Sequence, residues 1–195
     1  MKVLGLTGGM GMGKSTVAAL FRRAGLPVFD ADAEVLRLQS SPGPVLSAME
    51  RLVPGVERDG SLDRAVLRQA VTANPALLRK LEAIIHPQVR AARARFLSRQ
   101  RRAGTRWVVL DIPLLFETGG QKLCDRVLVV SAPRWVQARR VAARRGMTAP
   151  EARRLIARQM PDARRRLRAD RVLQTGGSLY ETRRQARQVL RSLQA

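Results

Sequence analysis

The chain has little with which to staple itself or hold a metal. Its 195 residues include one cysteine, Cys124, one histidine, His86, and one asparagine, Asn74. A single cysteine excludes an internal disulfide and any cysteine-cluster metal site. Aromatic residues make up only 4% and are scattered, so no stacking platform for single-stranded nucleic acid is visible. No apolar run reaches the ~20 residues of a membrane span. The first 21 residues do not read as a signal peptide, because a glycine-rich turn breaks their apolar run. A cytoplasmic location is the default expectation. Acidic side chains are scarce as well: 15 Asp and Glu stand against 37 Lys and Arg, a net charge of +22. Lysine supplies only four of these (Lys2, Lys14, Lys80 and Lys122), and 33 are arginine. That balance fits a solvated basic surface, binding of small anions, or binding of nucleic acid. Charge alone does not choose.

Hydrophobic residues, at 45%, are enough for one globular domain with its own core. Val- and Leu-rich runs predict strands at Lys2 to Leu6, "LPVFD" (26–30), "RWVVLD" (106–111), "DRVLVV" (125–130) and "DRVL" (170–173). Lys14 to Ala24 reads as a helix with Val17, Leu20 and Phe21 on one face, ended by Gly25. Strand, glycine loop, helix and strand open a doubly wound parallel sheet. About 75 residues then separate the second and third strands, far more than one crossover needs. They read as helices punctuated by Pro42, Pro44, Pro54, Pro75 and Pro87, an inserted helical subdomain. A second helical excursion runs from Ala132 to Arg168, and 13 arginines fall between Arg134 and Arg171. Capping-box spacing at Thr148/Glu151 and Ser178/Glu181 marks two helix starts.

Gly8-x4-Gly13-Lys14-Ser15 is a phosphate-binding loop pattern, followed by Thr16. Its glycines let backbone N–H groups converge on phosphate oxygens, Lys14 reaches the outer phosphates, and the Ser15 hydroxyl can ligate Mg²⁺. The pattern predicts nucleoside triphosphate binding, not the reaction. A guanine-specific switch needs Asn-Lys-x-Asp, yet Asn74 is followed by Pro75. A motor-type ATPase places Glu after its strand-end Asp, whereas Asp111 precedes Ile112 and Pro113. With neither hydrolytic class supported, transfer of phosphate to a bound acceptor gains weight.

Such a transfer needs a group to orient the acceptor hydroxyl. "DADAE" sets Asp30 and Asp32 at the carboxyl end of the second strand, which faces the ligand crevice of such sheets. Asp32 could instead cap the following helix. Asp111 ends the third strand, where it could hold Mg²⁺ through water or brace Lys14. Pro113, Leu114, Leu115 and Phe116 would then form an apolar ligand wall, with Glu117 as a polar contact, or simply a buried loop. His86 by itself reads as a hydrogen-bonded structural residue. Arg140 and Arg144, four apart on one helix face, are candidates for a lid that stabilises a migrating phosphate. The other arginines of that excursion read mostly as solvated surface.

Taken together, "GLTGGMGMGKSTVA", "VFDADAE", "IIHPQVR", "LDIPLLFETG", "CDRVLVVSAP", "QARRVAARRGMT" and "ARQM…RLRADRVL" resemble the dephospho-CoA kinase family, in its order and spacing. The resemblance implies a three-layer P-loop kinase fold with a five-stranded parallel sheet. A core at about 1–32, 105–135 and 168–195 would carry a helical substrate-binding insert at about 33–104 and a lid at about 136–167. It implies ATP-dependent phosphorylation of the ribose 3′-hydroxyl of dephospho-CoA, with Mg²⁺. Asp32 would be the base, and Lys14 and Arg140 would stabilise the transferring phosphate. Gly8, Gly9, Gly11, Met12, Gly13, Lys14, Ser15, Thr16 and Arg144 would bind ATP. Asp30, His86, Asp111, Pro113, Leu114, Leu115 and Glu117 would join Asp32 on the acceptor side. Members often carry Ser at the place of Met12 and Asn at that of Thr175, and their lid commonly reads Arg-Ile-x-x-Gln, whereas Leu155 and Ile156 precede Gln159 here. The implied partners are ATP and dephospho-CoA in a monomer or weak homo-oligomer, without a membrane and with nucleic acid disfavoured. Another small-metabolite kinase of this fold, or an ATP-gated nucleic-acid-binding protein, is the competing reading.

Overall fold

Runs rich in Val and Leu form the central strands and bury both faces of a sheet, as the sequence predicts. The computed structural model describes residues 1–40 and 42–194. In chain order these form β1 (Lys2–Thr7), α1 (Lys14–Arg23), β2 (Val28–Asp30), α2 (Ala31–Gln39), α3 (Pro44–Leu52), β3 (Glu57–Arg58), β4 (Ser61–Leu62), α4 (Arg64–Ala73) and α5 (Ala76–Arg102). There follow β5 (Trp107–Asp111), a 3₁₀ turn at Gly120–Leu123, β6 (Arg126–Ser131), α6 (Arg134–Arg145), α7 (Ala149–Ala157), α8 (Asp162–Leu167), β7 (Arg171–Gln174) and α9 (Leu179–Gln194). The chain divides into two units, Met1–Phe29 with Gln100–Ala195, and Asp30–Arg99.

The first unit is built on a five-stranded parallel sheet in the order β2-β5-β1-β6-β7. Leu4, Leu6, Val109, Leu128 and Val130 point to one face, where Val17, Ala18 and Phe21 of α1 and Ala186, Val189 and Leu193 of α9 cover them. Val127 and Val129, one residue out of phase, point to the other face and meet Leu115 and Phe116. Each fully buried Val, Leu or Phe contributes ~1.5–3 kcal/mol, so this two-sided burial dominates the unit's stability. Two aspartates fix where strands start: Asp125 accepts from Val3 N at 2.6 Å, and Asp170 from Val127 N at 2.7 Å. With β1 central, the loop after it opens at the carboxyl edge of the sheet, where open α/β folds bind ligands.

The second unit packs Val45 and Met49 of α3 and Leu77, Leu81 and Ile85 of α5 around Val53 and Val56. It differs from the sequence expectation in one place. Residues 57–62 form a β-hairpin rather than a helix approach, because Asp59 and Gly60 both take positive φ (50° and 73°). That is the backbone a two-residue hairpin turn requires. The long helical stretch from Pro75 forms as expected, with Pro87 inside α5, which continues for 15 residues beyond it to Arg102. A proline forfeits one backbone hydrogen bond and crowds the preceding turn. Here the preceding turns are held by core contacts at Leu77, Leu81 and Ile85.

Candidate active site

The loop joining β1 to α1 is shaped by what its glycines leave room for. A Cβ on Gly8 would come within 2.7 Å of the Val130 carbonyl oxygen. One on Gly9 would meet Arg165 Nη1 at 3.0 Å, Gln137 Nε2 at 3.2 Å and Gln159 Oε1 at 3.3 Å. Gly11 and Gly13 have positive φ (75° and 85°), and their Cβ atoms would strike Val141 Cγ2 at 2.7 Å and Thr175 Oγ1 at 2.9 Å. Glycine is therefore demanded at 11 and 13 by conformation and by space together. Met12 N donates to the Gly9 carbonyl at 3.1 Å, closing the loop on itself. The Met12 side chain is buried with Ala132 and Val136, and its sulfur accepts from Ala132 N at 3.0 Å. A side chain aimed inward leaves the loop's ligand-binding work to its backbone.

α1 begins at Lys14 with Ser15 and Thr16 exposed in its first turn, so a helix N-terminus, with its partial positive charge, follows the glycines directly. Lys14 Nζ is ion-paired with Asp111, whose side chain is only 2% exposed. Of the two uses open to Asp111 in the sequence, bracing Lys14 is the one seen. The oxygen-only set of the Ser15 hydroxyl and the Asp111 carboxylate is the hard-donor chemistry that suits Mg²⁺ beside a triphosphate.

The segment after β5 divides in a way its apolar run conceals. Thr7 Oγ1 donates to the Pro113 carbonyl at 2.9 Å, tying this segment to the end of β1. Leu114 is exposed, but Leu115 is wholly buried and Phe116 nearly so, both within the core. The expected four-residue ligand wall is corrected accordingly: Leu115 and Phe116 are core, and Pro113 and Leu114 are the members left at the surface. Glu117 accepts from Arg165 Nη2 at 3.1 Å. Arg165 is itself 2% exposed, the buried exception in an excursion whose arginines are mostly solvated, as expected.

Side chains of α6 and of the segment after α7 converge on the loop. Gln137 Nε2 donates to the Met10 carbonyl at 2.9 Å, and Gln159 Oε1 accepts from Met10 N at 2.9 Å, so two glutamines grip one residue's backbone from both sides. Arg140 donates through Nη1 to the Gly11 carbonyl at 3.4 Å and to Thr175 Oγ1 at 3.1 Å. Its Nη2 donates to the Thr175 carbonyl at 2.6 Å. Arg144, four residues on, is exposed. Gln137 and Arg165 escaped sequence reasoning. Gln137 sits three residues before Arg140 on the same helix face, a signal that was available, whereas Arg165 has nothing to separate it from its arginine neighbours.

In the second unit, Asp30 Oδ1 accepts from Ala33 N at 3.0 Å and is the N-cap of α2. The cap that the sequence allowed for Asp32 thus belongs to Asp30. Asp32 lies exposed in the first turn of α2, and His86 lies exposed on α5, which does not support its reading as a structural residue held by hydrogen bonds.

The dephospho-CoA kinase family model matches residues 2–181. A dephospho-CoA kinase of Paramagnetospirillum magneticum is 56% identical over 166 residues, covering 85% of this chain and 78% of the relative. Among solved structures, one from Thermus thermophilus superposes with a TM-score of 0.82 at 40% identity, covering 98% of this chain and 97% of its own. The dephospho-CoA kinase of Campylobacter jejuni has the same fold, with a TM-score of 0.75 at 21% identity, covering 99% of this chain and 98% of its own. This likeness takes in the glycine loop, the insert and the arginine-bearing helices alike, and the chain belongs to the dephospho-CoA kinase family of kinases.

Proposed function

We propose that this chain performs its family's reaction, transfer of the γ-phosphate of ATP to the ribose 3′-hydroxyl of dephospho-CoA to give CoA and ADP, the final step of coenzyme A biosynthesis. The observation that carries the reading is the meeting of Lys14, Arg140 and four crowded glycines on one loop, within a chain of this family. Backbone N–H groups of residues 8–16 bind the phosphates. Ser15, with Asp111, would hold the Mg²⁺ that accompanies ATP and offsets its charge. Lys14 and Arg140 stabilise negative charge on the migrating phosphoryl group, the term that dominates this kind of transfer. Arg144 is available to the nucleotide from the exposed face of α6.

For the acceptor, Asp32 takes the proton of the 3′-hydroxyl. Its support is its place in "VFDADAE" and its freedom from the capping duty that Asp30 performs. Residues 33–104, with His86, act as the acceptor-binding insert, and residues 136–167 act as the lid. Pro113, Leu114 and Glu117 would supply further acceptor contacts. The same reading takes the enzyme as a cytoplasmic monomer or weak homo-oligomer. Among the described residues no helix is long and apolar enough to cross a membrane. Asp32→Asn should cut kcat by about 10²–10⁴-fold, the usual worth of a positioned base, with ATP affinity retained. Full activity in that variant would remove Asp32 from the role.

A further inference from the structure

Thr175, which follows β7 directly, is a buried polar side chain with several partners around the loop. It is 3% exposed. Its hydroxyl donates to the Met12 carbonyl at 2.6 Å and accepts from Arg140 Nη1 at 3.1 Å. Its own carbonyl accepts from Arg140 Nη2 at 2.6 Å, and its N–H is held by the Ser131 carbonyl at 2.8 Å. The hydroxyl reaches Met12 only because Gly13 has no side chain; a Cβ there would lie 2.9 Å from Thr175 Oγ1. One residue thus touches three things at once: the end of β6 through Ser131, the phosphate loop through Met12 and Gly13, and the guanidinium of Arg140.

We infer that Thr175 is a positioning residue for phosphoryl transfer, one that fixes the Arg140 guanidinium against the phosphate loop before nucleotide binds. The backbone carbonyl bond to Nη2 would survive any substitution, so the side chain's particular contribution is direction. Donating to Met12 presents the hydroxyl lone pairs to Nη1, and this sets the plane of the guanidinium over Gly11. A short hydroxyl on a β-branched carbon is suited to it, since a threonine rotamer is held stiffly once its methyl is packed. Placing an existing charge without reorganisation is how preorganised electrostatics accelerates a reaction. The inference rests on the reading of Arg140 as a group that stabilises the transferring phosphate.

The test is a kinetic cycle on the full-length enzyme with ATP and dephospho-CoA. Thr175→Val keeps the shape and removes the hydroxyl, and Thr175→Ser keeps the hydroxyl and removes the methyl. Thr175→Val should lower kcat about ten- to a hundredfold, the range for losing a hydrogen bond to a charged group, with KM for dephospho-CoA unchanged. Thr175→Ser should stay within about threefold of the parent. In an Arg140→Ala background, Thr175→Val should add little, because its effect passes through Arg140. Three outcomes would overturn the inference: wild-type kcat in Thr175→Val, loss in Thr175→Ser as large as in Thr175→Val, or full additivity with Arg140→Ala. Full kcat in Arg140→Ala alone would bring down the underlying reading of Arg140, which separates that failure from the first three. Thermal midpoints measured alongside report any general loss of fold, which Thr175→Ser should not show.

Discussion

Lys14 and Asp111 do two jobs that one pair of variants can separate. The lysine charges the loop, and it also partners a carboxylate that is 2% exposed. Lys14→Met should abolish turnover and lower the thermal midpoint, since breaking a buried ion pair costs ~3–5 kcal/mol. Adding Asp111→Asn should recover much of the midpoint by calorimetry while turnover stays absent. A double variant as unstable as Lys14→Met would show that the pair is not what holds this region. Gly13→Ala faces both a positive φ of 85° and a contact of 2.9 Å with Thr175, so it should destabilise as well as impair ATP binding. At this scale the sequence was legible where a motif names the residue. It was not legible for Arg165, whose role, like that of Gln137, comes from helices folding back onto a loop more than 120 residues away in the chain.

Helix ends and turns carry their own tests. Asp30 caps α2, and Asp30→Ala should lower stability by ~0.5–2 kcal/mol, the usual worth of a cap, with a smaller effect on kcat than Asp32→Asn. Equal loss of kcat in both would mean that the two carboxylates share one task. Glu50 accepts from the backbone N–H of Gly55 and Glu57 at 2.7 Å each, bracing the approach to the β3–β4 hairpin. These two bonds hold its carboxyl below the usual carboxylate range. A carboxylate with a lowered folded-state pKa stabilises above the unfolded value and loses that contribution as pH falls through the folded one. Corrected for the slower intrinsic exchange in acid, protection of the amides in residues 55–62 should therefore fall as pH drops below the usual carboxylate range, and Glu50→Gln should abolish that loss. The capping boxes at Thr148/Glu151 and Ser178/Glu181 appear where the spacing predicts them. The strands were equally legible, because buried parallel strands write themselves as Val and Leu runs. The hairpin was missed although Asp59-Gly60 is its signal, because the flanking strands are two residues each and show no alternation. Pro87 did not obscure the long helix around it, whose turns before the proline are held by core contacts.

Across the whole molecule, the net charge of +22 meets substrates that are polyanions. A basic surface raises the rate at which such substrates arrive, and salt removes the advantage. kcat/KM for dephospho-CoA should fall by roughly tenfold between low salt and about 0.5 M, while kcat changes little. A salt-independent kcat/KM would assign the charge to something other than substrate capture. The central claim is the identity of the acceptor, and an acceptor panel tests it most directly. ADP release is measured with ATP and each of dephospho-CoA, AMP, CMP and shikimate, and the product is examined for phosphate on the ribose 3′-oxygen. The account predicts turnover with dephospho-CoA alone and CoA as the product. Turnover no faster with dephospho-CoA than with water, or faster with any other acceptor, would contradict it.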